Sequence, residues 1–265
     1  MDDDGDDEHR RGAIVDIDGT MVRSADPIPG ARDGIEELQE AGIDVLYVSN
    51  TSSSSREECV RRLGNVGLDV AYEDVITAAS ATADYLSRNG FTDVYVIGRT
   101  ALIDELERAG LTRTDRPETA TALVVGKDDQ FDYEKLTAAL HALDDDTSFV
   151  ATNMDRTTPT DHGELPGTGA LVGAIQGASG RDPDVVVGKP NEYLLQSALE
   201  KLCVEPAHCI VIGDSIDIDI AMGASAGMTT ILVLSGVSSQ SDLASAAFRP
   251  DFVVETLAEI SDVLR

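Results

Sequence analysis

Short apolar runs alternate with amphipathic helical patterns along most of this chain, and this alternation constrains the fold more than any other feature. Near the start, apolar runs at 13–17 and 43–49 flank a helical pattern over 30–41, in which Ile35 and Leu38 face inward. The same order returns later, with one helix and three strands predicted at 191–202, 209–213, 229–234 and 251–254. Such alternation predicts an α/β fold built on a parallel sheet that is covered on both faces.

The middle of the chain has an alternation of its own. A helix is predicted at 78–88, strands at 93–98, 122–126 and 148–152, and Gly- and Pro-containing turns around 163–169 before another helix. We therefore expect a core domain formed by residues 12–78 and 184–265, interrupted by an inserted α/β domain at 79–183. Residues 1–11, which include the acidic run DDDGDDE, are predicted to form a disordered tail.

The composition is strongly acidic and poor in lysine. The 265 residues contain 49 Asp and Glu against 20 Lys and Arg, for a formal net charge of −29, and the four lysines are Lys127, Lys135, Lys189 and Lys201. This charge disfavours nucleic acids and anionic membranes as partners, because both are themselves negative. It also favours a cytoplasm of very high salt, as in a halophilic archaeon, where the self-repulsion is screened. An ordinary acidic protein is the alternative.

The cysteines and the apolar segments point to a cytoplasmic protein. Cys59, Cys203 and Cys209 are odd in number and lack metal-ligand spacing, so we expect reduced thiols buried in the core. No apolar run approaches the roughly 20 residues that a membrane-spanning helix needs. The first residues also lack the basic and apolar regions of a signal peptide.

Polar residues that are suited to chemistry follow four predicted strands or turns. They are the stretches Asp16–Thr20, Ser49–Thr51 and Asp214–Asp219, together with Lys189. Ligands bind at the carboxyl edge of an open parallel sheet, where these stretches would meet. Asp16 and Asp18, two residues apart on a strand, would leave the same face and share one small space, which calls for a cation or a transferring group between them. Each stretch alone is common at protein surfaces, in turns or at the starts of helices. The four stretches in this order are a far more specific indication of an active site.

This combination resembles the haloacid dehalogenase (HAD) superfamily of aspartate-nucleophile phosphatases. The stretches DIDGT, SNTS, VVVGKP and IGDSIDID match the four motifs of that family in order. The stretches VVGKDDQFDYEKLTAAL, ATNMDRTTPTDHGELPGTGAL and GASAGMTTILVLSGVS resemble the type IIA branch, which includes NagD-type sugar phosphatases and p-nitrophenyl, pyridoxal and phosphoglycolate phosphatases. The resemblance runs from about residue 12 to the C-terminus. It implies a Rossmann-like core with a large inserted α/β cap domain.

The resemblance also implies a role for each motif residue. Asp16 would be the nucleophile that forms an aspartyl-phosphate, and Asp18 would act as general acid and base. A Mg²⁺ ion would be held by Asp16, by the main-chain carbonyl of Asp18 and by Asp214, with Asp219 in support and Asp217 on the surface. Phosphate would be bound by Gly19, Thr20, Ser49, Asn50 and Lys189, where Lys189 balances charge in the transition state. In the cap, the leaving group would meet Lys127, Asp155, Thr157, Thr158 and Pro159.

These expectations together describe a Mg²⁺-dependent phosphomonoesterase, monomeric or homo-oligomeric, that acts on small phosphate monoesters. The cation of Lys127 and the hydroxyls of Thr157 and Thr158 favour anionic or polyhydroxylated substrates such as phosphoglycolate-like compounds and sugar phosphates. An exposed pairing of Lys127 with Asp128 and Asp129 is the alternative for that lysine. Alternative functions are a nucleotide or pyridoxal-phosphate phosphatase, or a phosphotransferase or phospho-ligand sensor on the same fold.

Overall fold

The computed structural model describes residues 11–24, 26–160 and 163–264. The strands are β1 (Arg11–Asp16), β2 (Val22–Arg23), β3 (Asp26–Pro27), β4 (Ile43–Ser49), β5 (Val75–Thr77), β6 (Asp93–Ile97), β7 (Thr112–Arg113), β8 (Ala122–Val125), β9 (Ser148–Ala151), β10 (Thr157–Thr160), β11 (Gly163–Pro166), β12 (Val185–Val186), β13 (Cys209–Gly213), β14 (Thr229–Val233) and β15 (Phe252–Val254). The α-helices are α1 (Ala31–Glu40), α2 (Arg56–Val66), α3 (Ala78–Arg88), α4 (Thr100–Arg108), α5 (Tyr133–Ala142), α6 (Thr168–Ser179), α7 (Glu192–Leu202) and α8 (Ala221–Ser225).

The described chain forms two compact units. The first contains residues 11–49, 56–76 and 195–264, and the second contains residues 50–55 and 77–194. Both are built from strands and helices in alternation, so the predicted α/β class is confirmed.

The first unit is built on a six-stranded sheet in the order β15-β14-β13-β1-β4-β5, and neighbouring strands from β15 to β4 run parallel. Residues 12–16 of β1 are all buried, as expected for a central strand with apolar layers on both faces. One layer is formed by the inward stripe of α1, where Ile35 and Leu38 pack with Val15 and Ile212. The carboxyl ends of β1, β4 and β13 therefore lie at one edge of the sheet.

The second unit has a five-stranded parallel sheet in the order β12-β9-β8-β6-β7. Its core joins Val125 of β8 and Phe149 of β9 to Val172 and Ile175 of α6. The strands β10 and β11 form a separate antiparallel hairpin. No helix among the described residues is both long enough and apolar enough to cross a bilayer.

Four local expectations differ from the structure. Arg11 begins β1 and pairs with Ile43, so it is not part of a disordered tail, and residues 1–10 of that predicted tail lie outside the described residues. The turns predicted near 163–169 include β11, because this exposed segment pairs with β10. β12 pairs with β9 in the second sheet, so that sheet extends past the predicted boundary at residue 183.

The fourth difference concerns the cysteines. Cys59 and Cys209 are buried as predicted, but Cys203 is exposed just after α7. α7 ends at Leu202, which is buried, so Cys203 is not part of the buried face of that helix. Burial raises the pKa of the Cys209 thiol to about 12.

Candidate active site

Three carboxylates meet at the carboxyl edge of the first sheet. Asp16 ends β1, Asp214 follows β13, and Asp219 lies in the π-helical turn Ile216–Ile220. One oxygen from each lies within 4.8 Å of the others, and the three residues are only 6%, 4% and 2% exposed. Three buried like charges at this spacing repel strongly unless a cation balances them. Carboxylate oxygens are the ligands that Mg²⁺ and Ca²⁺ prefer, so the donor set fits a hard divalent cation.

The π-helical turn explains why Asp219, rather than Asp217, joins this cluster. The turn brings Asp219 back toward the end of β13, where its Oδ2 accepts a hydrogen bond of 3.1 Å from the backbone N–H of Ser215. Asp217 lies on the opposite side of the turn and is exposed. A Cβ at Gly213 would overlap the carboxylate of Asp219, so glycine is needed where the strand ends.

Asp214 is held by two glycines and a loop that the sequence analysis did not identify. A Cβ at Gly19, where φ is +90°, or at Gly236 would overlap the Asp214 carboxylate. The backbone N–H of Val237 donates to Asp214 Oδ2 at 2.6 Å, and the hydroxyl of Ser235 donates to the carbonyl of Gly19 at 2.7 Å. The loop belongs to the stretch GASAGMTTILVLSGVS that carries the family resemblance, and it follows the buried strand β14 directly, at the same edge of the sheet.

Asp18 does not join the three-carboxylate cluster. β1 ends at Asp16, so strand alternation does not carry over to Asp18, whose side chain is 52% exposed. Its carboxylate accepts a hydrogen bond of 2.9 Å from Ser49 Oγ and an ion-paired one of 2.5 Å from Arg62 Nη2. The carboxylates that the structure groups with Asp16 are therefore those of Asp214 and Asp219, and Asp18 lies outside that cluster.

Arg62 was missed by the sequence analysis. Burial acts to lower its pKa, but the charge of Asp18 and their hydrogen bond outweigh this, so the pKa of Arg62 is raised. The helical spacing could have indicated this residue. Arg62 lies three residues after Cys59 and four before Val66, so it shares the face of α2 on which Cys59 and Val66 are buried. A charged residue on that face needs a partner.

A second group of predicted residues meets within the second unit. The side-chain amide of Asn50 donates to both carboxylate oxygens of Asp155, at 3.1 and 3.2 Å, and to the carbonyl of Lys189 at 3.1 Å. Asn153, also missed, is buried and donates to the carbonyl of Asn50 at 2.7 Å. Lys189 is only 3% exposed. Three predicted segments are thus joined by one hydrogen-bonded network.

Lys127 is half-buried and lies two residues after the end of β8. The sequence suggested an ion pair of Lys127 with Asp128 or Asp129 as the alternative. In the structure Asp128 pairs with Lys135 at 2.5 Å and Asp129 pairs with Arg99. The backbone N–H of Lys127 donates to Ser52 Oγ at 3.0 Å. Burial and the nearby Arg99 lower the pKa of Lys127, although Asp129 opposes this. The exposed pair with Asp128 and Asp129 is therefore not the arrangement found.

The remaining predicted residues are three on the hairpin and Thr20. Thr157, Thr158 and Pro159 lie on β10 of the hairpin, with Thr157 exposed and Thr158 half-buried. Thr20 is fully buried, and its hydroxyl has no hydrogen-bond partner among the residues that the structure describes. In this conformation Thr20 offers no surface to a ligand.

Comparisons with known proteins identify the family of this chain. The model of the haloacid dehalogenase-like hydrolase family matches residues 13–112, and a second model, described as HAD-hydrolase-like, matches residues 186–260. The chain is 32% identical over 251 residues to the sugar phosphatase AraL of Bacillus subtilis, covering 94% of this chain and 92% of that protein. It is 35% identical over 253 residues to the ribonucleotide monophosphatase NagD of Escherichia coli, with 94% and 98% covered.

A solved structure is similar over nearly the whole chain. The p-nitrophenyl phosphatase from Archaeoglobus fulgidus superposes with a TM-score of 0.91 at 37% identity, covering 96% of this chain and 99% of that one. The chain therefore belongs to the haloacid dehalogenase-like hydrolase family. Within it, the chain is a type IIA phosphatase and an enzyme of the phosphoric monoester hydrolase class, as the sequence motifs predicted.

Proposed function

We propose that this protein is a Mg²⁺-dependent phosphomonoesterase that works through an aspartyl-phosphate on Asp16. The observation that carries the proposal is the buried cluster of Asp16, Asp214 and Asp219 at the carboxyl edge of the sheet. Burying three carboxylates within 4.8 Å of one another is costly unless positive charge balances them. A nucleophilic aspartate beside a cation site explains why three carboxylates are brought together here.

The metal would be held by Asp16, Asp214 and the main-chain carbonyl of Asp18. Asp219, whose Oδ2 is bound to the backbone of Ser215, would support the site. When bound, the divalent cation would offset the charge of the phosphate as an anionic nucleophile approaches it. The two glycines packed on Asp214 keep its carboxylate in one place, which suits a site of fixed geometry.

The chemical steps would fall to three side chains. Asp16 would attack phosphorus and displace the alcohol, forming the acyl phosphate. Asp18 would give a proton to the leaving oxygen and then take one from the attacking water. Arg62 and Ser49, which hold the Asp18 carboxylate, fix its orientation before the substrate arrives.

Phosphate binding would use Ser49, the backbone N–H of Asn50, the turn at Gly19 and the charge of Lys189. The network of Asn50 with Asp155 and Lys189 supports this assignment, because it joins the two segments that carry Asn50 and Lys189. In this scheme Asp155 orients Asn50, which differs from the direct substrate contact expected from the sequence.

For the substrate we propose a small phosphate monoester with a second anionic group or several hydroxyls. We also propose that the second unit is the cap that selects it, through Lys127 and the hairpin residues Thr157, Thr158 and Pro159. The half-buried position of Lys127 supports a role for its charge. A nucleotide is the second candidate, favoured by the name of the relative NagD, a ribonucleotide monophosphatase.

The cellular setting follows from the charge of the chain. With a net charge of −29 and only four lysines, we propose a high-salt cytoplasm as the working environment. A phosphotransferase and a non-hydrolytic sensor are the alternatives to the hydrolase. Transfer of the phosphoryl group to water during turnover would distinguish the hydrolase from both.

The test is hydrolysis of p-nitrophenyl phosphate with Mg²⁺ in molar KCl by the parent protein, Asp16→Asn and Asp217→Asn. The parent should turn over and lose activity in EDTA. Asp16→Asn should lose at least about a thousandfold in kcat, as expected when a nucleophile is removed. Asp217→Asn has the same change of charge on an exposed neighbour and should match the parent. Near-parental turnover by Asp16→Asn would refute the mechanism, and indifference to EDTA would refute the metal.

A further inference from the structure

A cavity of about 590 Å³ lies in the second unit, where the chain leaves β6 and β8. Its wall includes Gly98–Thr100 after β6 and Asp128–Gln130 after β8. The volume falls within the roughly 300–1,000 Å³ that is typical of small-molecule sites. The cavity is therefore large enough for a metabolite.

The topology of the second sheet makes this a position where ligands bind. β6 continues through α4 to β7 on one side, while its other neighbour, β8, continues through α5 to β9 on the opposite side. The strand order therefore reverses between β6 and β8. In open parallel sheets the crevice at such a reversal, outside the carboxyl ends of the strands, is the usual ligand site.

Cationic side chains gather in this cavity although the chain is short of them. Arg99, Arg113 and Lys135 all line it, in a protein with 20 basic and 49 acidic residues. Arg113 pairs with Asp115 at 3.0 Å, while Arg99 and Lys135 pair with Asp129 and Asp128. These carboxylates hold the cations in place. A guanidinium has five N–H donors, and the pair of Arg113 with Asp115 uses one nitrogen, so Arg113 keeps donors for a ligand.

The start of α4 adds to the same chemistry. Thr100 and Ala101, its first two residues, line the cavity, and no side chain caps the helix at Arg99. The side chains of Arg99 and Arg113 are 41% and 46% exposed, so their charges are accessible from the cavity. Cations beside backbone N–H groups at a helix start favour a phosphate group.

We propose that the second unit binds a phosphate-bearing ligand in this cavity, at a site of its own. The phosphate lies against Arg99, Arg113 and the first turn of α4. The ligand is either inorganic phosphate, which the proposed reaction releases, or the phosphate group of an ester whose hydroxyls donate to Asp115 and Asp129.

Equilibrium dialysis of labelled inorganic phosphate against the Mg²⁺-loaded full chain, at fixed KCl, tests the proposal. The parent should bind two phosphates per chain. Arg113→Gln should lower the phosphate affinity of one of the two sites about tenfold, as expected for loss of a charged hydrogen bond. Arg113→Lys should restore part of that affinity. Arg116→Gln is the matched control, because Arg116 is an exposed arginine on the same segment that does not line the cavity.

Hydrolysis of p-nitrophenyl phosphate, measured on the same variants, shows whether the cavity is separate from the active site. We expect kcat/KM to stay within about twofold of the parent in Arg113→Gln. Displacement of cavity-bound phosphate by 3,4-dihydroxybutylphosphonate, a non-hydrolysable ester analogue, would identify an ester ligand, and its failure to displace would identify inorganic phosphate. Equal phosphate binding by Arg113→Gln and Arg116→Gln would overturn the proposal, whereas a single phosphate that Arg113→Gln weakens would place the failure at the active site instead.

Discussion

Replacing Asp214 with asparagine should stabilise the protein in EDTA and remove its stabilisation by Mg²⁺. The reason lies in the carboxylate cluster, where an oxygen of Asp214 lies within 4.8 Å of oxygens of Asp16 and Asp219. In the absence of a cation these charges repel, and the unfolded chain escapes that repulsion. A site built to hold a metal therefore costs stability when the metal is removed.

The magnitude follows from the geometry. Two unit charges 4.8 Å apart repel by roughly 3.5 kcal/mol at an effective dielectric constant of about 20, and the substitution removes two such pairs. This repulsion of roughly 7 kcal/mol is opposed by a loss, because the substitution weakens the 2.6 Å bond from Val237, a charge-assisted bond worth about 1.5–3 kcal/mol. Salt screening lowers the repulsion further. We expect a net gain of about 2 kcal/mol, or about 4 °C in Tm for a chain of this length.

Mg²⁺ should reverse the order of stability. At a concentration one hundred times its Kd, a ligand that binds only the folded state adds about 2.7 kcal/mol, which corresponds to about 5 °C here. The parent should gain this shift and the variant should gain almost none. Thermal unfolding of both proteins in EDTA and across a Mg²⁺ titration, at fixed KCl, measures the crossover.

Asp217→Asn is the control for this experiment, because Asp217 is exposed three residues away and loses the same charge. It should unfold at the parental temperature in EDTA and show the parental response to Mg²⁺. If Asp214→Asn is less stable than the parent in EDTA, or if Mg²⁺ stabilises it as much as the parent, the cluster is not a cation site.

Three further predictions concern the lysine, the net charge and the cysteines. Lys127→Met should lower kcat/KM for phosphoglycolate roughly tenfold and leave kcat/KM for p-nitrophenyl phosphate unchanged. Burial and Arg99 lower the pKa of Lys127, so this lysine loses its charge at a pH below the ordinary lysine pKa of 10.5. The preference of the parent protein for phosphoglycolate should therefore decline as the pH rises toward that value. Equal losses on both substrates would contradict this. Tm should rise from 0.1 to 1 M KCl, as the Debye length falls from about 10 to about 3 Å, and a flat curve would contradict the screening argument. A thiol reagent at pH 8 should label Cys203 alone in the native protein and reach Cys59 and Cys209 only after unfolding, whereas rapid labelling of all three would contradict the burial.

Much of the fold could be predicted because its central strands are buried on both faces. β1, β4 and β13 appear in the sequence as short apolar runs, and the helices between them show one inward stripe. The hairpin of β10 and β11 has neither signal. β11 is fully exposed, so no apolar alternation marks it, and its pairing depends on the partner strand rather than on its own residues.

The candidate site could be predicted only where chemistry resides in side chains at strand ends. Asp16, Ser49 and Asp214 were found in this way. The contact of Val237 with Asp214 uses a backbone N–H, which every residue except proline carries, so the sequence holds no mark of it. The position of Asp18 outside the carboxylate cluster depends on the point where β1 stops, and strand ends are the least predictable part of an element.

The most direct test of the central claim is to identify the residue that carries the phosphoryl group during turnover. An acyl phosphate can be trapped by acid quenching in the first turnover with a labelled substrate and then reduced with borohydride, which converts the modified aspartate to homoserine. We predict homoserine at position 16, in the peptide that contains β1, and none in Asp16→Asn. Label on another residue, such as Ser49, or turnover with no trapped phosphoryl-protein would contradict it.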